Sequence, residues 1–409
     1  MKMSLSQSDV ASMKSACAAS SRIIDAFLDR FLIGYAVERE RLDTLFAREL
    51  APYRKAVTRF PEQWPDHALP QYVGYRLFRR TGLAERYLSH AIMKTRSGEE
   101  VDFLAAQVAR PWVLSFFSIT KLSDPLFFEA VDVFTGESHI VYSPGIDDIL
   151  KHAGPVSMLF LLLGFNGHCW QTYGPMPYFL GIQPFDILYL AKLVDPHVRH
   201  MEDVPAVIDA HPVPFMVLYV GANIPLVMHK EHLTVSCRSE VKNYDFDPER
   251  VPAAAIIEHK QHVYRLTLPD SEGFPHFAAC YYHEKKRHLT ITAMTDWGYG
   301  EMVRLLDACG HRVPAVMAVR ASTGMLSILK EYYPFKLNDA DPYARIFAQP
   351  PPSAGEKKEL AKINAVFAEV VAAHNAGGAV DARSLADRHG IDIETARQLI
   401  GVVSTAKPK

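Results

Sequence analysis

The chain has 409 residues, 49% of them hydrophobic and 22% charged, with a formal net charge of -2. This is the composition of a globular protein of two or three domains, and it excludes a collagenous or largely disordered chain. The near-neutral balance supplies no bulk field for nucleic acid or an anionic membrane, so any such contact must come from a local patch.

Five cysteines, Cys17, Cys169, Cys237, Cys280 and Cys309, are scattered without a C-x-x-C pair, which suits reduced thiols in a cytoplasmic protein. The start, MKMSLSQSDV, lacks the charged, apolar and small-residue order of a secretory signal. The longest apolar run, Val156 to Phe165, is half the length needed to span a bilayer and reads as a buried helix, so no membrane partner is expected.

From Ser21 the apolar residues Ile23, Ile24, Phe27, Leu28, Phe31, Leu32 and Tyr35 recur at three and four, predicting an amphipathic helix. Weaker helical patterns run through Arg41 to Arg59 and Leu83 to Val108, interrupted by the segment Pro61 to Pro70. From Pro111 the pattern changes. WVLSFFSIT, LFFEAVDVF and SHIVYS are aromatic and β-branched, separated by Ser123-Asp124-Pro125 and Thr135-Gly136-Glu137, and predict a three-stranded antiparallel meander. A helix is expected over Ile146 to Leu163 with a Gly-Pro interruption at Gly154-Pro155, then a Pro/Gly-dense segment Gly164 to Pro184 and a helix around Phe185 to Val194. Phe215 to Val220 and Leu233 to Cys237 read as strands, and Asn243 to Pro252 as a polar linker.

Beyond it, His262 to Leu268, Phe277 to His283 and the alternating Leu289-Thr290-Ile291-Thr292-Ala293 predict strands. A helix follows in which Asp296 is a cap, Met302, Leu305, Leu306 and Cys309 share a face, and Gly310 is the stop. Ala348 to Gly355, AQPPPSAG, reads as a stiff spacer, followed by a helix over Glu356 to His374 and a turn at Asn375 to Gly378. The expected fold class is therefore α+β. Its parts are a helical region 1–109, an α+β domain 110–242 containing the meander, a two-layer α+β unit 253–347, a Pro-rich linker 348–355 and a helical module 356–409.

Within that module Leu385, Ala386, Gly390, Ile391, Ala396 and Leu399 sit where a helix-turn-helix needs a small crossing residue, a left-handed turn and apolar anchors. Residues 385–400 thus resemble a helix-turn-helix. The resemblance implies a recognition helix Ile393 to Ile400, and a nucleic-acid face of Arg383, Arg388, Thr395, Arg397 and Gln398. From Ser353 onward eight Lys/Arg face seven Asp/Glu, leaving few phosphates to be neutralised, so a protein partner competes with DNA as the target. A homodimer, which would raise the effective concentration of two weak modules, stays open.

The second candidate is the run Asn166 to Tyr173, where Asn166, His168, Cys169 and Tyr173 bring an amide, an imidazole, a thiol and a phenol into one glycine-bounded loop. An enzyme built there, a hydrolase or transferase, needs a distant base such as His211 or His229, because neighbouring side chains point apart and exclude His168 as the base for Cys169. A packed aromatic loop with a buried thiol competes with it.

No metal site is expected. The pairs His229/His232, His259/His262 and Cys280/His283 lack a converging second half, and strand positions three apart face opposite sides. The acidic run Asn243 to Glu249 lacks the glycine and closing glutamate of a calcium loop and reads as Asx turns. No nucleotide-binding, P-loop or nucleophile-elbow string occurs, so no cofactor is expected. The leading expectation is a non-enzymatic binding or regulatory protein. The alternatives are the enzyme above and an interaction protein that presents the Ile23 to Tyr35 stripe to a partner.

Overall fold

A computed structural model describes residues 6–153, 156–229, 231–252, 255–269, 277–313, 317–337, 343–347, 353–375 and 380–404. Two compact units divide the chain, Met1–Pro342 and Tyr343–Lys409. The fold class is α+β, with helices first, sheets packed by helices in the middle and helices at the end.

The first unit opens with α1 (Gln7–Ile23), which runs into a π-helix (Ile24–Leu32) and then α2 (Ile33–Glu40). The predicted amphipathic stripe is there, but it faces inward. Phe27, Leu28 and Leu32 are fully buried in the main core, which removes this stripe as a partner surface. Next come α3 (Leu42–Leu50), α4 (Arg54–Val57), α5 (Trp64–Phe78), α6 (Ala84–Leu88) and α7 (Gly98–Ala109). Helix α5 starts inside the proline-rich segment read from sequence as a break. Pro65 sits in its first turn, where a missing N–H costs nothing, and Pro70 lies within it.

The meander forms as read: β1 (Val113–Lys121), β2 (Phe127–Asp132) and β3 (Ser138–Tyr142) pair antiparallel. The expected helix over Ile146 to Leu163 does not. It splits into α8 (Pro144–Ala153) and strand β4 (Met158–Phe165), followed by β5 (Trp170–Tyr173) and β6 (Tyr178–Phe179). β4 pairs with both β1 and β5, and β5 pairs with β3, so the order β1-β2-β3-β5-β4-β1 closes a small barrel. Closure explains the misreading. Leu159, Leu161 and Leu163 fill the interior with Phe117, Phe128 and Trp170, while Met158, Phe160 and Leu162 pack outward on the helices. A strand buried on both faces carries no alternation to distinguish it from a buried helix.

Beyond the barrel come α9 (Pro184–Val194), as expected, α10 (Val204–Ala210) and α11 (Pro212–Val217). Helix α11 and the 3-10 turn Leu218–Gly221 replace the strand expected over Phe215 to Val220. A short hairpin, β7 (Met228–His229) and β8 (His232–Leu233), precedes the second sheet. That sheet contains β9 (Val235–Val241), β10 (Ile256–Lys260), β11 (Val263–Thr267), β12 (Ala278–His283), β13 (His288–Ala293) and β14 (Val319–Ser322), ordered β10-β11-β12-β13-β9-β14. β9, assigned from sequence to the domain before residue 242, is thus an inner strand of the later sheet.

Helix α12 (Asp296–Ala308) lays Tyr299, Met302 and Leu306 on one sheet face, and Gly310 at φ 78° ends the segment as anticipated. The cap is Thr295, whose hydroxyl accepts the Gly298 N–H at 2.9 Å. Asp296 instead forms a paired ion bridge with Arg320 at 2.8 Å. α13 (Thr323–Tyr332) completes the unit as described.

The second unit contains α14 (Ala344–Phe347), α15 (Ala354–Asn375), α16 (Ala382–His389) and α17 (Ile393–Ser404). Val366, Val370, Leu385, Ala386 and Ala396 form its core. Most of the proline spacer and of the turn after residue 375 lies outside the described residues.

Candidate functional site

The first unit holds an open cleft of about 790 Å³ on the barrel's flank. Three segments distant in sequence build it. Trp64, His67 and Pro70 come from α5, Asp29 from the π-helix, and Tyr173 with the following segment to Tyr178 from the barrel. Ile149 and Tyr219 complete the rim. Its surface is mainly ring and aliphatic carbon with few polar groups, the chemistry of a small-molecule site.

The local folding of each wall is explicable. π-helices are rare and short because their i→i+5 hydrogen bonds pack poorly, and they are enriched at functional sites. Here the widened turn buries Phe27, Leu28 and Leu32 while leaving Asp29 at the cleft. On the opposite wall, Gln71 of α5 donates its amide to the carbonyls of Tyr173 (3.2 Å) and Pro175 (2.8 Å), which clamps the chain as it leaves β5. Between those carbonyls Gly174 adopts φ 75°, and a Cβ there would lie 2.7 Å from that of Gln71. Only glycine meets both demands.

Where the two walls meet, the Tyr173 hydroxyl donates to Asp29 Oδ1 at 2.5 Å. Burial, reinforced by that carboxylate, pushes the phenol well above its ordinary range, so Tyr173 stays neutral and acts as a donor. Trp112 packs beside it with ring centroids 5.2 Å apart.

Of the four residues expected in the loop 166–173, only Tyr173 lines this cleft. The segment is not a free loop after a helix but the tight turn of the β4–β5 hairpin, with Asn166 N–H bonded to Cys169 O at 3.0 Å and Gly167 at φ 92°. Asn166 Oδ1 accepts the N–H groups of His168 (3.0 Å) and Cys169 (2.9 Å), an Asx turn that fixes the tip. His168 is exposed and Cys169 is buried, so the two side chains diverge as expected. Among the described residues Cys169 Sγ shares a hydrogen bond with the Cys17 thiol (3.4 Å) and accepts one from Asn166 Nδ2 (3.7 Å), and no imidazole serves it as a base.

Of the three metal pairs, Cys280 and His283 diverge, Cys280 lying under α12 and His283 on the opposite side of the strand, whereas His259 (3.2 Å) and His262 (3.6 Å) both reach Glu284 and His229 faces His232 across the β7–β8 hairpin. Among the described residues no group of three or more His, Cys, Asp and Glu side chains is placed to hold an ion. In the acidic run, Asp247 accepts the Glu249 N–H at 3.1 Å, an Asx turn.

In the second unit, helices α16 and α17 meet at Gly390, which has φ 61°. Two of the three arginines expected to face nucleic acid are engaged within the unit: Arg388 with Glu369 at 2.6 Å, and Arg397 with Glu394. Thr395 is tied to the capping carboxylate of Asp392, with its N–H at 2.9 Å. Arg383 and Gln398 are exposed. On α15 the exposed side chains include the apolar Leu360 and Phe367, seven residues apart.

Among the described residues, no single helix is long and apolar enough to cross a membrane. Compared with known proteins, the chain matches no family model, no curated protein and no solved structure.

Proposed function

We propose that this chain is a non-enzymatic binding protein whose larger unit takes up a small, largely apolar and aromatic molecule in the cleft between α5, the π-helix and the barrel. The observation that carries the reading is the cleft itself. Its volume of about 790 Å³ falls in the range of small-molecule sites, and the rings of Trp64, Tyr173, Tyr178 and Tyr219 offer stacking surface with little entropy to lose. The Tyr173–Asp29 pair and His67 supply the few polar groups that orient a ligand.

A neutral fluorescent probe, N-phenyl-1-naphthylamine, tests it. The full chain is expected to enhance the probe's emission. Ile149→Trp, which adds bulk to the cleft lining, is expected to weaken binding about tenfold, equivalent to roughly 1.4 kcal/mol, with a cooperative circular dichroism melt retained at a somewhat lower midpoint, because Ile149 also packs on the barrel core. No enhancement, or enhancement that Ile149→Trp leaves intact, sinks the reading.

In this reading the C-terminal helices contact a protein rather than DNA. Arg388 and Arg397 are already paired with carboxylates, so the module offers phosphates little net charge. Labelled duplex DNA titrated with the full chain is expected to show no anisotropy rise that weakens between about 50 and about 200 mM salt. A salt-sensitive rise abolished by Arg383→Ala together with Arg388→Ala would return the module to nucleic acid.

A further inference from the structure

We propose that Cys17 and Cys169 are a disulfide-forming pair, closed by a two-electron oxidant of the peroxide class and reopened by a thiol reductant. The two residues are 152 positions apart in sequence, yet their sulfurs lie 3.4 Å from one another and both side chains are 1% exposed. A disulfide bond is about 2.05 Å long, so the sulfurs need to approach by roughly 1.4 Å to bond.

A pattern of contacts holds the pair in register. Side chains two apart on a strand leave by the same face, so Cys169, Gln171 and Tyr173 all reach toward the N-terminal helices. They meet Cys17, Ser21 and Asp29 in the same order: sulfur to sulfur, Gln171 Nε2 to Cys17 O and to Ser21 Oγ (3.3 Å each), and Tyr173 to Asp29 at 2.5 Å. Asn166, fixed by its own Asx turn, donates Nδ2 to Cys17 Sγ at 3.3 Å and to Gln171 Oε1 at 3.0 Å. An amide aimed at a sulfur stabilises a thiolate there.

The two thiols are unequal. The hydrogen bond with Cys169 is the main influence holding Cys17 below the usual thiol range, opposed by burial and aided by Asn166; the same bond, then burial, push Cys169 up. The Asn166 amide also lies nearer Cys17 Sγ (3.3 Å) than Cys169 Sγ (3.7 Å), so the thiolate is better held at Cys17, which is assigned as the attacking sulfur with Cys169 as the resolving one. In the first step Cys17 Sγ bonds to a peroxide oxygen and the O–O bond breaks. The departing hydroxide takes the Cys17 proton and leaves as water, and Cys17 becomes a sulfenic acid. In the second step Cys169 Sγ bonds to Cys17 Sγ, the S–O bond breaks, and a second water leaves with the Cys169 proton. Two thiols are oxidised and one peroxide is reduced to two waters.

Access comes by local opening of α1. Its apolar seat on the barrel around this pair is a small cluster, Met13, Cys17, Phe127 and Cys169, separate from the main core. The other cysteines are arranged differently. Cys280 is sealed in the second sheet's core, Cys237 bonds to Asp296 Oδ1 at 3.6 Å, and Cys309 is partly exposed. Closing the bond ties α1 to the hairpin that carries Tyr173. Its effect on the cleft rests on the ligand reading, whereas bond formation does not.

The test is peptide mapping of the full chain after hydrogen peroxide, with alkylation of the remaining thiols. The expected result is a Cys17–Cys169 cross-linked peptide that dithiothreitol reverses, with the alkylatable thiols falling from five to three. Cys17→Ser, a near-isosteric change, is expected to abolish the cross-link and leave Cys169 alkylatable, and oxidised wild type is expected to melt several degrees above reduced. Oxidation confined to Cys309, or sulfinic acid at Cys17 without a cross-link, overturns the proposal. Because the mapping contains no ligand, failure of the probe experiment leaves it standing.

Discussion

Replacing Leu161 by alanine is expected to lower the free energy of unfolding by about 2–5 kcal/mol, and replacing its neighbour Leu162 is expected to lower it by a similar amount. Both side chains are fully buried, in different places. Leu161 fills the barrel interior, and Leu162 packs in the main core between barrel and helices. Each truncation removes transfer free energy and leaves a cavity that close-packed walls refill only in part. In a one-sided strand adjacent positions alternate between core and solvent, so one of two neighbouring substitutions is mild. Urea denaturation of the two variants decides the matter. A cost below about 0.5 kcal/mol at either position, the level of an ordinary surface change, contradicts a β4 buried on both faces.

The same double burial marks the limit of what the residues disclose in chain order. The amphipathic stripe at Phe27, Leu28 and Leu32 was legible because its helix has a wet face. The meander from Val113 to Tyr142 was legible from the turn residues between its strands, since Phe116, Phe117, Phe127 and Phe128 are all fully buried, and the Leu289 to Ala293 strand from its alternating threonines, although Thr290 is buried instead of wet. β4 has neither a wet face nor a polar alternation, and its all-apolar run fits a helix as well as a strand. Helix α11 failed for a related reason. Pro212, Val213, Pro214 and Phe215 are poor helix interior residues, but they occupy the first turn of a short helix buried on all sides.

The cleft was less legible than the fold. Tyr173 was anticipated because its neighbourhood concentrates polar and aromatic groups, yet its partners Asp29, Trp64 and His67 lie more than a hundred residues upstream and form no string with it. Trp64 and His67 sat in a segment whose prolines argued for a loop. The Cys17–Cys169 pair has the same character: spacing along the chain holds no trace of it, and only the strand's period of two, laid against the helix, brings the sulfurs together.

Asp186 yields the second large effect, and it is pH-dependent. The side chain is fully buried at the start of α9, where Oδ1 accepts the Ser322 N–H at 2.6 Å and Oδ2 accepts the Gln183 N–H at 2.9 Å and the Ser322 hydroxyl at 3.0 Å. Ser322 in turn caps α13 by accepting the Met325 N–H at 3.2 Å, so one carboxyl joins the starts of two helices. Burial pushes its pKa up to about 6 despite those hydrogen bonds and the nearby Arg320. In the unfolded chain the ordinary value of 3.8 applies. Between the two values the native state holds a proton that the unfolded state has released. This group's contribution is therefore complete below about pH 4 and is lost as pH rises through about 6, by roughly 3 kcal/mol in total.

Asp186→Asn removes the titration. It also turns an N–H donor toward Gln183 N–H in place of an acceptor, so the variant is expected to lose about 1–3 kcal/mol below the transition from that unsatisfied contact. Urea unfolding of both proteins from about pH 4 to about pH 7 is expected to show the wild type's advantage shrinking as pH rises. An advantage that is constant or grows over that range means the buried carboxyl is ionised throughout, and the joint between α9 and α13 is then held by charge rather than by a protonated acid.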